Sequence, residues 1–197
     1  ASLECDADAA RAFAEALAVR NLAVRTINGF PYGRFHHVPV KEAVYRPDWR
    51  DPERAAYALR LARLLAGWLP EGGTGAISTV PLGFRQGFSD ADLPAAYAAL
   101  RGVLAALAAL HEETGRRIRL AVEAEPGCRI ETTAEMAAFF EAVDAPPKHM
   151  AHLCVCYDCC HQALQYEDPA QSLALLAGRG IEVGQVQGGV ALGIGQA

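Results

Sequence analysis

Leu153-Cys-Val-Cys-Tyr-Asp-Cys-Cys-His161 opens apolar and closes on polar groups. Leu153 and Val155, with Cys154 and Cys156 as small hydrophobes, have the composition of a buried parallel strand. Asp158 ends that run, and His161 follows three residues on. In an α/β protein, a strand that delivers a carboxylate and an imidazole to its C-terminal end delivers them where such folds place their chemistry. A second apolar run, Ile118-Arg-Leu-Ala-Val122, leads in the same way into Glu123 and Glu125. Two strands that both end in metal-capable groups are the most informative feature of the chain.

Working outward, helical and strand patterns alternate. Residues 6–20 read as a helix with an Asp at its start and a stripe at Phe13, Ala16 or Val19, and Leu17. Residues 22–27 read as a strand that Asn28-Gly29 interrupts. A long aromatic segment marked by Pro and Gly follows, and a loop of that length in a compact domain usually carries function. Asp51-Pro52 opens a helix over 53–68, with Tyr57, Leu61, Leu64, Leu65 and Trp68 at helical spacing. Next come a strand over 76–80, an alanine-rich helix over 92–114 ended by Gly115, and the strand 118–123. A helix over 133–143 with Thr132 or Thr133 as N-cap precedes the strand 152–157. A helix over 169–177 and a strand over 181–187 complete the pattern.

This order predicts a parallel α/β protein, either doubly wound or a (β/α)8 barrel. No strand is followed by G-x-G-x-x-G, so dinucleotide binding has no support. Polar groups also stand at several strand ends, at Asn28, Arg85, Glu123, Glu125, Asp158, His161 and Gln187. A barrel gathers all such ends around one mouth, which favours a TIM barrel. Five strands are legible where a complete barrel has eight in about 250 residues. The reading is therefore a partial TIM barrel over 1–187 with a glycine-rich tail over 188–197, a piece of a longer enzyme. The missing initiator Met agrees with a cut N-terminus.

The chain has 197 residues, 52% hydrophobic and 21% charged, with a formal net charge of −5. That composition is globular, and the acidic balance argues against nucleic-acid and anionic-membrane partners. No apolar run is expected to reach the roughly 18 residues of a membrane span. The N-terminus lacks the basic and apolar regions of a signal peptide. Four of the six cysteines crowd Cys154–Cys160, unlike a disulfide framework, so reduced thiols and a cytoplasmic location are expected. A zinc–thiolate site would need a distant second ligand pair, and only Cys5 and Cys128 remain.

Asn28-Gly-Phe-Pro-Tyr-Gly, Val44-Tyr-Arg-Pro-Asp-Trp49, Glu123-Ala-Glu-Pro-Gly-Cys128 and Tyr157-Asp-Cys-Cys-His-Gln162 together resemble the xylose isomerase-like TIM-barrel superfamily. That superfamily holds sugar isomerases and epimerases and the endonuclease IV type. Within it, the chain most resembles the metabolite traffic protein (EboE) branch, over about residues 6–187. The resemblance makes the strands the third to seventh of the barrel. It implies metal ligation by Glu123 and Asp158 and a substrate or metal contact for His161. It also implies a His on strand seven, where this chain reads Val183-Gly-Gln-Val-Gln187, and a Glu on strand eight, which is missing here.

The residues by themselves leave alternatives open. Glu123 and Asp158 suit a divalent ion (Mn, Mg, Co or Zn), or are solvated carboxylates at strand ends. Glu125 is a proton-transfer carboxylate, or faces water because Pro126 ends the strand. His36 or His37 reaches the mouth, or lies on the surface. Tyr32, Phe35, Tyr45 and Trp49 form a wall for a sugar, or anchor the loop. Arg34, Arg46 and Arg85 clamp an anion, or are solvated. The substrate-contact candidates are Asn28, Tyr32, His36, Trp49 and Arg85. The expected activity is a divalent-metal-dependent sugar or sugar-phosphate isomerase or epimerase, with Glu125 and His161 catalytic and a small-molecule substrate. The alternative is a non-catalytic metabolite-binding or trafficking protein with a protein partner in its pathway. An endonuclease IV-like activity is disfavoured by the charge.

Overall fold

The computed structural model describes residues 6–32 and 44–188. Helix α1 spans Ala7–Val19, strand β1 Thr26–Asn28, α2 Pro52–Trp68, β2 Thr74–Thr79, and α3 Leu93–Thr114. Strand β3 spans Arg117–Glu123, α4 Thr133–Val143, α5 Pro147–Met150, β4 Leu153–Asp158, α6 Cys159–Leu164, α7 Pro169–Gly178, and β5 Val183–Gln187. The five strands form one parallel sheet in sequence order. This is the expected partial TIM barrel, and residues 189–197 of the predicted tail lie outside the described residues.

Local chemistry sets the helix ends. The Asp51 side chain accepts from the Glu53 N–H, with Pro52 at the first helical position of α2. Thr132 and Glu135 cap the start of α4 reciprocally. Gly115, at φ +68°, ends α3 in the left-handed conformation that glycine adopts without steric cost. The first strand is shorter than expected. Residues 22–25 are not in it, although the Arg25 carbonyl already accepts from the Ala76 N–H at 2.9 Å. Two short helices, α5 and α6, were not expected at all.

The strand faces divide the labour. Ile77, Ile118, Leu120, Val122, Leu153, Val155 and Tyr157 join Leu65, Leu100, Leu104 and Met136 from the helices in one buried core. Each such side chain contributes about 1.5–3 kcal/mol by leaving water. The opposite face carries Ala76, Ala121, Cys154 and Cys156, a separate cluster of small residues inside the curl. Small side chains let the sheet bend tightly. Asn28 Oδ1 on β1 accepts from Gln185 Nε2 on β5 at 2.6 Å, although three strands lie between them. At Gly184, a Cβ would stand 2.3 Å from Cys154 Sγ, so only glycine fits against that inner wall.

One expectation from the sequence fails here. The segment Asp90–Thr114 is long and apolar enough by composition to cross a membrane, because alanine supplies much of its hydropathy. In the fold its stripe of Ala96, Leu100, Val103, Leu104, Leu107 and Ala108 is buried. That stripe packs on α2 and β3, as a core helix does.

Candidate metal centre

Parallel pairing brings the C-terminal ends of β3, β4 and β5 side by side. Glu123 is in register with Cys156, and Asp158 with Gln187. Glu123 ends β3 on the inner face and is 3% exposed. Asp158 ends β4 and caps α6, where its Oδ1 accepts from the Cys160 and His161 N–H groups at 2.7 and 3.1 Å. That cap starts a six-residue helix and turns His161 back toward the strand ends. Ligand atoms of Glu123, Asp158 and His161 lie within 4.8 Å of one another.

His161 Nδ1 is 3.5 Å from Glu123 Oε1, 4.0 Å from Asp158 Oδ2 and 3.0 Å from Glu125 Oε2. It also lies 3.1 Å from the Ala124 carbonyl oxygen. The Ala124 carbonyl can only accept, so this nitrogen carries a proton in the metal-free chain. Glu125 lies past the end of β3 yet does not face open water. It is folded against His161, and its Oε1 accepts from the Tyr45 hydroxyl at 3.4 Å. Gln187 Nε2 donates to Glu123 Oε2 at 3.0 Å and approaches Cys156 Sγ at 3.1 Å.

The electrostatics suit a cation. Burial, then the charges of Glu125 and Asp158, push the Glu123 carboxyl up to about 8. Burial also raises Glu125 above the usual carboxylate range, with His161 opposing it. Among the described residues, no Arg or Lys pairs with these three carboxylates. Two carboxylates and an imidazole are a fitting donor set for a divalent ion, and its charge would relieve the like-charge crowding.

The substrate-contact candidates are less convergent. Asn28 faces the barrel interior, on Gln185. Trp49 is 1% exposed, and its indole N–H donates to the Val80 carbonyl at 3.1 Å, so it is core rather than a sugar wall. Tyr32 donates to Glu53 at 3.1 Å and packs edge-on against Tyr57 of α2. Arg85 is held by Glu131 and Glu135 at 2.9 and 3.0 Å, and Arg46 lies 3.4 Å from Asp48. Neither is a free anion clamp. Arg34, Phe35, His36 and His37 lie outside the described residues.

Two buried or half-buried polar contacts gave little sequence signal. Tyr45, expected as an apolar wall or a loop anchor, touches the site through its hydroxyl. Arg54 is 1% exposed and donates to the Pro47 and Gly29 carbonyls at 2.7 and 2.9 Å, tying both segments to α2. An Arg in a first helical turn is ordinarily read as surface. The cysteines divide: Cys154 and Cys156 are buried beside the centre as expected, but Cys159 is exposed.

No family model matches the chain, and no curated protein matches it. Solved structures do. The 3-keto-D-glucoside 4-epimerase YcjR from E. coli, in its apo form, is 15% identical with a TM-score of 0.54. The match covers 95% of this chain and 80% of that one. An AP endonuclease, family 2, from Brucella melitensis is 16% identical with a TM-score of 0.52, over 95% of this chain and 79% of that one. Neither likeness supports the metabolite-traffic branch. What they share with this chain is the fold, a curled half-barrel of five parallel strands with helices, of TIM-barrel type.

Proposed function

We propose that this chain is the metal-holding part of a divalent-metal-dependent sugar or sugar-phosphate isomerase or epimerase. The observation that carries the reading is the convergence of Glu123, Asp158 and His161 at adjacent strand ends, with Glu125 on the imidazole. The likeness to a sugar epimerase of the same fold supports it. Glu123, Asp158 and His161 would hold the ion, whether Mn, Mg, Co or Zn. When bound, such an ion stabilises negative charge on the sugar oxygens beside a carbon that loses its proton. In the metal-free chain Glu125 Oε2 lies 3.0 Å from His161 Nδ1, and with the ion held by the imidazole Glu125 would be the carboxylate left to take up and return the substrate proton. Incubating the metal-loaded protein with aldoses, ketoses and their phosphates in D2O tests this. Deuterium should enter beside the carbonyl of at least one sugar, and Glu125→Gln should abolish it. No exchange across the panel, with metal bound, would contradict the enzymatic reading.

A second reading is favoured by Gln187. It ends the strand on which the resemblance implies a metal-binding His and this chain has none, and its amide donates to Glu123. A protein that binds a metabolite without turnover, and passes it to a partner protein, would bind a sugar and exchange no proton. Nucleic acid remains outside the proposal because of the net charge of −5. Incision of a duplex with an abasic site, the control suggested by the endonuclease of the same fold, should not occur.

A further inference from the structure

Glu125 sits on a tight turn fixed from both sides. Its N–H donates to the Ile130 carbonyl and its carbonyl accepts from the Cys128 N–H, both at 3.0 Å. Backbone contacts therefore place its Cα, but they leave the carboxylate free to rotate. The side chain is fixed elsewhere. Tyr45 stacks on Phe30, at 5.9 Å and 24°, and on Phe84, at 4.8 Å and 8°. Phe84 in turn lies over Gly127, where a Cβ would meet its Cε2 at 2.9 Å. The loops carrying Phe84 and Gly127 are joined by backbone bonds: Arg85 N–H donates to the Gly127 carbonyl at 2.8 Å, and Arg129 N–H to the Gly83 carbonyl at 3.0 Å. These two ring contacts hold the Tyr45 ring, and its hydroxyl is the part that reaches Glu125.

A phenylalanine would fill that stack equally well. Tyr45 is half-buried as a residue, and the partner of the added hydroxyl is Glu125 Oε1, at 3.4 Å. The other oxygen of the same carboxylate stands 3.0 Å from His161 Nδ1. We propose that Tyr45 is a positioning residue: its hydroxyl fixes the Glu125 rotamer so that Oε2 stays on His161, with Phe84 and Gly127 bracing the tyrosine. This deepens the reading of Glu125 as the proton-transfer group and rests on it. Gly127 has a second reason to be glycine, since it adopts φ +83°. Replacing it displaces the brace and also strains the turn that carries Glu125, so Tyr45→Phe, which leaves that turn intact, is the discriminating variant.

The experiment is NMR of the metal-free chain with 15N-labelled histidine, comparing wild type with Tyr45→Phe, Gly127→Ala and Glu125→Gln. In the wild type, His161 should show a hydrogen-bonded Nδ1 proton in slow exchange with water. Glu125→Gln should shift that resonance upfield, and Tyr45→Phe and Gly127→Ala should broaden or shift it toward the same position. Their backbone amide spectra should remain dispersed, and Mn²⁺ stoichiometry should be unchanged. A purely structural tyrosine would lower the melting temperature and leave the His161 signal where it was. If Tyr45→Phe keeps the wild-type signal while Glu125→Gln moves it, the positioning role is wrong and the Glu125–His161 pairing stands. If Glu125→Gln also leaves it unmoved, the pairing itself fails, and the proton-transfer reading fails with it.

Discussion

Replacing Glu123 by Gln should make the metal-free protein more stable, and increasingly so as pH rises. Glu123 is 3% exposed and faces Glu125, Asp158 and His161, with the Gln187 amide and the Cys156 thiol beside it. Its carboxyl is pushed up to about 8, whereas an unfolded glutamate titrates near 4.3. Between those values the folded chain holds a proton that the unfolded chain has released. Stability from this group is therefore complete below about pH 4.3 and is lost as pH rises toward 8. The slope is at most about 1.4 kcal/mol per pH unit, so the loss at pH 7 is bounded near 4 kcal/mol. Relaxation around the charge should bring it to about 2 kcal/mol. Glutamine keeps an acceptor for Gln187 and carries no charge, so the loss disappears. For a chain of this size the variant should melt about 4–8 °C higher at pH 7, and within a degree or two of wild type near pH 4.5. Thermal melts in EDTA at pH 4.5, 6, 7 and 8 read this directly. Added divalent metal should reverse the order, since it stabilises the chain that binds it more tightly. A variant less stable than wild type in EDTA at pH 8, or a difference independent of pH, would refute the reasoning.

Other substitutions separate structural from chemical roles. Asp158→Asn keeps an oxygen to cap α6, so it should cost under about 0.5 kcal/mol yet weaken metal binding at least tenfold. Asp158→Ala should lose both the cap, at about 1 kcal/mol, and the metal; urea melts and Mn²⁺ titration distinguish the pair. Trp49→Ala should cost about 3–5 kcal/mol, because it empties a core site and strips Val80 of its donor, whereas a sugar-wall residue would affect ligand affinity alone. Gly184→Ala should cost about 1–3 kcal/mol by forcing a methyl group against Cys154 Sγ. Urea denaturation checks both.

The sequence made the alternation legible because each strand is a short apolar run and each helix begins at a strong cap. Asp51-Pro52 and Thr132 to Glu135 are chemical signals, and the helices start where those signals predict. Glu123, Asp158 and His161 were legible for the same reason, as polar groups that interrupt apolar strands. The short helix after Asp158 was not, since one aspartate cap with no following periodicity resembles a turn. The aromatic segment misled because the residue type does not say which way a ring points. Trp49 and Tyr45 lie four residues apart, yet one is core and the other presents its hydroxyl to Glu125. Arg85 misled similarly, since its two carboxylate partners lie 46 and 50 residues away in sequence. The tight curl of the sheet depends on small inner residues whose contacts come only from the folded arrangement.

The central claim is that Glu123, Asp158 and His161 form one metal site, and elemental analysis of the purified chain after loading and dialysis tests it most directly. About one divalent ion per chain in the wild type, lost in both Glu123→Ala and Asp158→Ala while the fold persists by circular dichroism, is the predicted result. A well-folded wild type that retains no ion, or variants that retain it as well as wild type does, would contradict the account.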